Sequence, residues 1–80
     1  MFGWCKLIDE NDKKMKIGYS LEKNKNCDGI LIYDKQTQEF FVEKLPKGED
    51  GWLTNHFICP LRNRLRRKPL TSELSCVATG

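Results

Sequence analysis

The stretch Met15–Glu22, MKIGYSLE, decides the fold that we expect for this chain. Its larger apolar residues occupy every second position, and these are Met15, Ile17, Tyr19 and Leu21. A period of two places these side chains on one face of an extended segment, which is typical of a strand that buries one side. The stretch therefore predicts a half-buried β-strand at about residues 15–22, for which the neighbouring segments have to supply partners.

Three further segments have the composition of strands and are separated by polar turns. They lie at about residues 2–8, 29–34 and 39–45, and they are rich in β-branched and aromatic residues. The connections are the polar turn DENDKK, the loop KNKNCDG with its turn signal Asp28-Gly29, and KQTQ, which is short enough for a hairpin. Because hairpins join antiparallel neighbours, the first half of the chain predicts an antiparallel sheet of three to four strands.

After Gly51 the apolar period changes from two to about four. The residues that recur are Leu53, Phe57, Leu61 and Leu65, which form a stripe along one side of a helix at about residues 52–67. Pro60 lies inside this segment and predicts a kink or a division into two shorter helices, since proline removes a hydrogen bond and clashes with the preceding turn. Lys68-Pro69 ends the helix.

The remaining tail, residues 69–80, has weaker signals. Its LSCV segment is compatible with a short edge strand or with a frayed end. Taken together, the segments predict a single small domain over residues 1–80 of the α+β class. Its architecture is a small antiparallel sheet with a C-terminal helical segment packed on one face.

Positive charge is concentrated at the end of the predicted helix. Residues 1–61 carry nine lysines and ten carboxylates, whereas five cations with no acid between them follow: Arg62, Arg64, Arg66, Arg67 and Lys68. Like charges spaced three or four residues apart on a helix repel one another. Four of the five are arginines, which favour two-pronged contacts with carboxylates or phosphates. The run is therefore the predicted binding surface of the protein.

Two kinds of partner suit such a surface. We expect a non-enzymatic binding module that uses this basic helical surface for protein interaction, with a partner protein or with a second copy in a homo-oligomer. The alternative is a nucleic-acid-binding accessory protein that contacts phosphates through Arg62–Lys68. No catalytic motif and no nucleotide-binding glycine pattern is present in the sequence, and we expect no cofactor.

The remaining chemically active residues have simpler explanations. His56 and Cys59 share a helical face and are weak candidates for metal ligands, but zinc sites in small domains normally use two close pairs, so we expect no metal site. Trp4 and Trp52 are expected to pack in the core, because a chain of 80 residues has little other apolar volume.

The expected location is the cytoplasm. The N-terminus lacks the pattern of a secretory signal, and no apolar run approaches the roughly 20 residues of a membrane span. The four cysteines are widely spaced, and we expect them to be free thiols, as is usual in a reducing compartment.

Overall fold

The computed structural model describes residues 2–21, 23–48 and 51–78, which form five strands and one helix. The elements are β1 (Phe2–Glu10), β2 (Lys14–Leu21), β3 (Gly29–Asp34), β4 (Glu39–Lys44), α1 (Trp52–Arg67) and β5 (Ser75–Ala78). The strand order is β4-β3-β2-β1-β5 and all neighbours are antiparallel. The predicted α+β class is confirmed. Residues 22, 79 and 80, which the predicted strand and tail included, lie outside the described residues.

The described residues contain a fifth strand beyond the three to four that we expected. β5 pairs with β1 from Phe2↔Ala78 to Cys5↔Ser75, so the tail supplies an edge strand. Just before β5, the Leu7 N–H donates a hydrogen bond to the Thr71 carbonyl at 2.8 Å. The first strand of the chain is therefore an interior strand, because the last one returns to cover its free edge.

The hairpin turns are held by side chains at their first positions. The Asn11 side-chain oxygen accepts hydrogen bonds from the N–H groups of Lys13 and Lys14, both at 2.8 Å. In the next tight turn the Asp34 carboxylate accepts bonds from Gln36 and Thr37. Asn and Asp favour such turns because their short side chains mimic a backbone acceptor.

The helix is one continuous element that contains Pro60, so the alternative of two shorter helices is wrong. The residue before it, Gly51, is the N-cap and has a φ of 92°, a conformation that glycine adopts without a Cβ clash. Proline leaves one helical carbonyl without its usual bond. Burial of Phe57 and Leu61 on either side of the proline offsets this loss. No helix in the described ranges is long and apolar enough to cross a membrane.

The helix packs on one face of the sheet, which we call the inner face. Phe57 lies over Gly3, where an added Cβ would approach its ring to 2.4 Å, and it stacks on Tyr19 with ring centroids 6.0 Å apart. Phe57 and Leu61 are fully buried and Leu65 is half-buried. The Leu53 side chain, the first of the predicted stripe, lies outside the described part of the structure.

The opposite, outer face carries the alternate residues of the strands. Lys16, Ile32 and Phe41 are neighbours across three strands on this face, and Lys16 pairs with Glu43 at 3.8 Å. Trp4 of β1 is half-buried. The Lys25 ammonium lies 4.9 Å from the centroid of its ring. Trp4 is thus only partly buried, whereas we expected it in the core.

Candidate partner-binding cleft

The five basic residues of the predicted surface do not share one side of the molecule. Arg62 and Arg66 lie on the side of α1 that faces β3 and β4, since Arg62 contacts Phe40 and Arg66 lies near Tyr33. Arg64 lies on the other side of the helix, near β1. Arg67 and Lys68 are exposed at the helix end. α1 therefore has two basic sides, separated by the line of buried residues.

Arg62 is held against the edge of the sheet. Its guanidinium carbon lies 5.5 Å from the centroid of the Phe40 ring, within the range of a cation–π contact. Its Nε is buried and, among the described residues, finds no hydrogen-bond acceptor. The residue as a whole is only half-buried, so the rest of the guanidinium keeps accessible surface that is suited to a carboxylate or phosphate oxygen.

Arg64 has a structural role that limits its use for binding. Its Nη1 donates a hydrogen bond to the Lys68 carbonyl at 2.5 Å, and the Lys68 N–H bonds back to the Arg64 carbonyl at 3.2 Å. These contacts close the last turn of the helix, where a cation is also favoured by the helix dipole. We therefore leave Arg64 out of the candidate site.

Arg66 stands at the rim of an apolar pocket at the end of the helix. The pocket has a volume of about 310 Å³. Its apolar lining comes from the helix, from two strands and from the chain after the helix, and consists of Met15, Tyr33, Leu65, Pro69 and Leu70. Lys35 and Glu10, which form an ion pair at 2.5 Å, complete the rim. The pocket combines an apolar floor with a net positive rim.

A second depression lies at the start of the same side of the helix. Here Trp52 and Asn55 face Val42 and Leu45 across a space of about 620 Å³. Trp52 is 63% exposed, although we expected it to pack in the core. Val42 and Leu45 are exposed as well. We call the surface along this side of α1 the β4 cleft; it faces β4 at Trp52 and Arg62 and β3 at Arg66.

The weak metal candidates, His56 and Cys59, lie on α1 at the side of this cleft. The His56 ring lies edge-on to Trp52 at 4.5 Å, and Cys59 is exposed. Nowhere in the described residues do three His, Cys, Asp or Glu side chains come close enough to hold a metal ion.

The cysteines are all free, and two of them are buried. Burial raises the pKa of Cys5 to about 11, an effect that the nearby Arg64 charge opposes. Burial also raises the pKa of Cys27, whose thiol is close to the Ser20 hydroxyl. Raised values keep both thiols neutral, which is the state of packing groups rather than of nucleophiles.

Comparison of the chain with protein-family models, with curated protein sequences and with solved structures gave no match. Any function therefore has to be inferred from the geometry above.

The basic run predicted from the sequence supplies Arg62 and Arg66 of the cleft, whereas the apolar residues of the cleft were not predicted. Phe40, Val42, Leu45 and Trp52 were not singled out as site residues. One signal was present, since Phe40, Phe41 and Val42 are consecutive and one face of an edge strand cannot bury all three.

Proposed function

We propose that this domain is a protein-interaction module that binds an acidic segment of a partner protein through Arg62 and Arg66. The observation that carries the proposal is the position of these two cations at apolar surface. Arg62 lies over Phe40, and Arg66 borders the pocket formed with Leu65 and Leu70. A carboxylate next to an apolar side chain would satisfy both parts of this surface.

The same geometry favours protein over nucleic acid. Duplex binding draws on several cations that face one backbone together. Here Arg62 and Arg66 lie on one side of the helix, while Arg64 is bonded to the carbonyl of Lys68. The apolar pocket beside Arg66 is also better matched to leucine-like side chains than to phosphates. Nucleic-acid binding through Arg62–Lys68 therefore remains the alternative that the experiment below tests.

We also propose a non-enzymatic role in the cytoplasm. The lining of the cleft is mostly apolar. Its two carboxylates are engaged in ion pairs, Glu10 with Lys35 and Glu43 with Lys16, which suits binding more than bond-breaking chemistry. The free, neutral thiols of Cys5 and Cys27 suit a reducing compartment.

The proposal is tested by anisotropy with fluorescein-labelled peptides of glutamate and leucine, 16 residues long like α1. We expect at least one sequence order to bind, and we expect Arg62→Gln/Arg66→Gln to weaken that binding about tenfold or more. The matched control is Arg67→Gln/Lys68→Gln, which removes the same charge from the exposed helix end. Binding that is lost equally in both double variants, or no binding at all, would refute the proposal.

Gel mobility shifts with random duplex DNA, single-stranded DNA and RNA address the alternative. At about 50 mM salt, a phosphate-binding surface should shift these probes, and its affinity should fall steeply as salt rises. A shift that disappears in both double variants would favour the nucleic-acid alternative. A light-scattering mass of two copies, lost in Arg62→Gln/Arg66→Gln, would identify a second copy as the acidic partner.

A further inference from the structure

The helix covers only part of the inner face of the sheet. Five strands spaced about 4.8 Å apart span about 19 Å between the two outer strands, whereas a helix with its side chains is about 10 Å wide. α1 lies towards the β1 and β5 side, since Phe57 packs on Gly3 of β1 and the helix also contacts β5. On the inner face of β4, Arg62 lies over Phe40, but among the described residues no helix lies over Val42.

Val42 marks this uncovered region. It pairs with Leu31, so both side chains point to the inner face, yet Leu31 is fully buried and Val42 is 43% exposed. The inner face is therefore covered at β3 and exposed at the neighbouring position of β4. The β4 side of the inner face is therefore a shelf that lies beside α1, with Phe40 and Val42 as its floor.

The wall of the shelf is one side of α1. Five residues of the helix follow the spacing of three and four that defines one helical side, and they are Trp52, Asn55, Cys59, Arg62 and Arg66. The wall is aromatic at its start and cationic at its end. Together, floor and wall present an apolar strip with positive charge at one end.

We propose that the occupant of the β4 cleft is an acidic amphipathic helix of a partner protein, which lies beside α1 as the second helix of the layer. This inference rests on the proposed function and specifies the form of the partner segment. A helix fits the space because neighbouring helices pack 8–10 Å apart, about the width left uncovered on the sheet. Its apolar side packs on Phe40, Val42 and Trp52, and its carboxylates bind Arg62 and Arg66.

Charge also sets the direction of the partner helix. The cations are at the C-terminal half of α1, and acidic residues are favoured in the first turn of a helix. An antiparallel partner places its acidic first turn beside Arg66 and its later apolar residues beside Trp52. The dipoles of the two helices then oppose each other, which is the favourable arrangement.

The test compares two glutamate and leucine peptides of identical composition. One has leucine at spacings of three and four and glutamate concentrated at its N-terminus; the other alternates leucine and glutamate, as an added edge strand would. We expect the first peptide to bind at least about tenfold more tightly, and to gain helical circular dichroism on binding. If the alternating peptide binds equally well or better, the helix is refuted while the proposed function stands.

Two variants of adjacent β4 residues locate the binding surface. Val42→Asp places a negative charge on the inner face, and Phe41→Asp places the same charge on the outer face. We expect Val42→Asp to lower the affinity for the helical peptide about tenfold, and we expect Phe41→Asp to change that affinity less than about twofold. Equal losses would instead indicate an added strand at the β4 edge and would overturn the proposal.

A third variant separates loss of binding from loss of folded structure, which the introduced aspartates could also cause. Trp52→Ala removes an exposed side chain of the wall and is expected to leave the circular dichroism spectrum of the free domain unchanged. The variant should still lower the affinity for the helical peptide several-fold. If Trp52→Ala leaves the affinity unchanged, the β4 cleft is not the binding surface. If neither peptide binds, both the proposed function and this inference fail together.

Discussion

The hydroxyl groups of Tyr19 and Thr54 lie 2.8 Å apart in the fully buried core, where they join the central strand β2 to the first turns of α1. Tyr19 belongs to the alternating stretch that predicts β2, and Thr54 is a polar residue in an otherwise apolar helical side. Their hydrogen bond orients the helix on the sheet at the end where the chain enters it. The position of the β4 cleft depends on this orientation.

Replacing Thr54 by valine removes this hydrogen bond without changing the volume much. We expect the free energy of unfolding to fall by about 1–2 kcal/mol, because the bond is made between two buried groups. In combination with Tyr19→Phe, the two losses should be less than additive, since both variants remove the same contact. Urea unfolding measures these energies, and Thr37→Val in an exposed turn is the control. Fully additive losses would show that the two hydroxyls are not coupled.

Phe57 of α1 packs tightly against Gly3 of β1. We expect Gly3→Ala to destabilise the domain by about 1–3 kcal/mol, because its Cβ would overlap the Phe57 ring. Adding Phe57→Leu should recover part of the loss relative to Phe57→Leu alone, since the smaller side chain leaves room. Thermal unfolding of the two single variants and the double variant tests this relationship. A Gly3→Ala protein as stable as the parent would contradict the packing described here.

Leu61 is buried on the side of the helix that faces the sheet, whereas Arg67 is exposed. Leu61→Asp should unfold the domain, because a buried carboxylate costs several kcal/mol and a chain of this length has a stability of about 4–12 kcal/mol. Arg67→Asp, at an exposed site, should lower the Tm by no more than about 4 °C. Circular dichroism melting distinguishes the two. Arg64→Asp is not an equivalent control, since Arg64 also bonds the Lys68 carbonyl.

The thiols should differ in reactivity. Iodoacetamide at about pH 8 should label Cys59 and Cys76, which are exposed, and leave Cys5 and Cys27 unmodified until the protein is unfolded. The pKa of Cys5 is about 11 in the folded protein against an ordinary value of 9.0. The contribution of the neutral thiol to the free energy of unfolding is therefore fully present below the ordinary value and is lost as the pH rises through the folded value. Intact mass after labelling gives the count. Four labels on the native protein, or a mass that indicates a disulfide, would be inconsistent with this structure.

The Asp28 carboxylate should make the free energy of unfolding depend on pH in the acidic range. The Lys47 N–H bonds its carboxylate at 3.1 Å and lowers its pKa, with a further contribution from the Asn24 amide at 3.0 Å. A lowered pKa means that the stabilisation is present above the ordinary value of 3.8 and is lost as pH falls through the folded value. Since the carboxylate is solvated, we expect Asp28→Asn to cost at most about 1 kcal/mol at pH 7. The difference between variant and parent should shrink below about pH 4 in urea titrations.

Local patterns in the sequence determined the elements of this protein. The alternation at Met15–Leu21, the turn residues Asn11 and Asp34 and the apolar spacing of Phe57 and Leu61 all act within a few residues, so they can be read along the chain. The basic run after Pro60 was equally visible. The tail was ambiguous because the four residues of β5 become a strand only through pairing with β1.

Only the tertiary structure decided which of these residues share a surface. The sequence places Arg62, Arg64 and Arg66 together, but the helix sends Arg64 to one side and the other two to the side of β4. Trp52 and Val42 are ten positions apart, and neither has a pattern that distinguishes it from a core residue. They meet in a cleft because a single helix, drawn towards β1 and β5 by packing at Gly3, is too narrow to cover a five-stranded sheet.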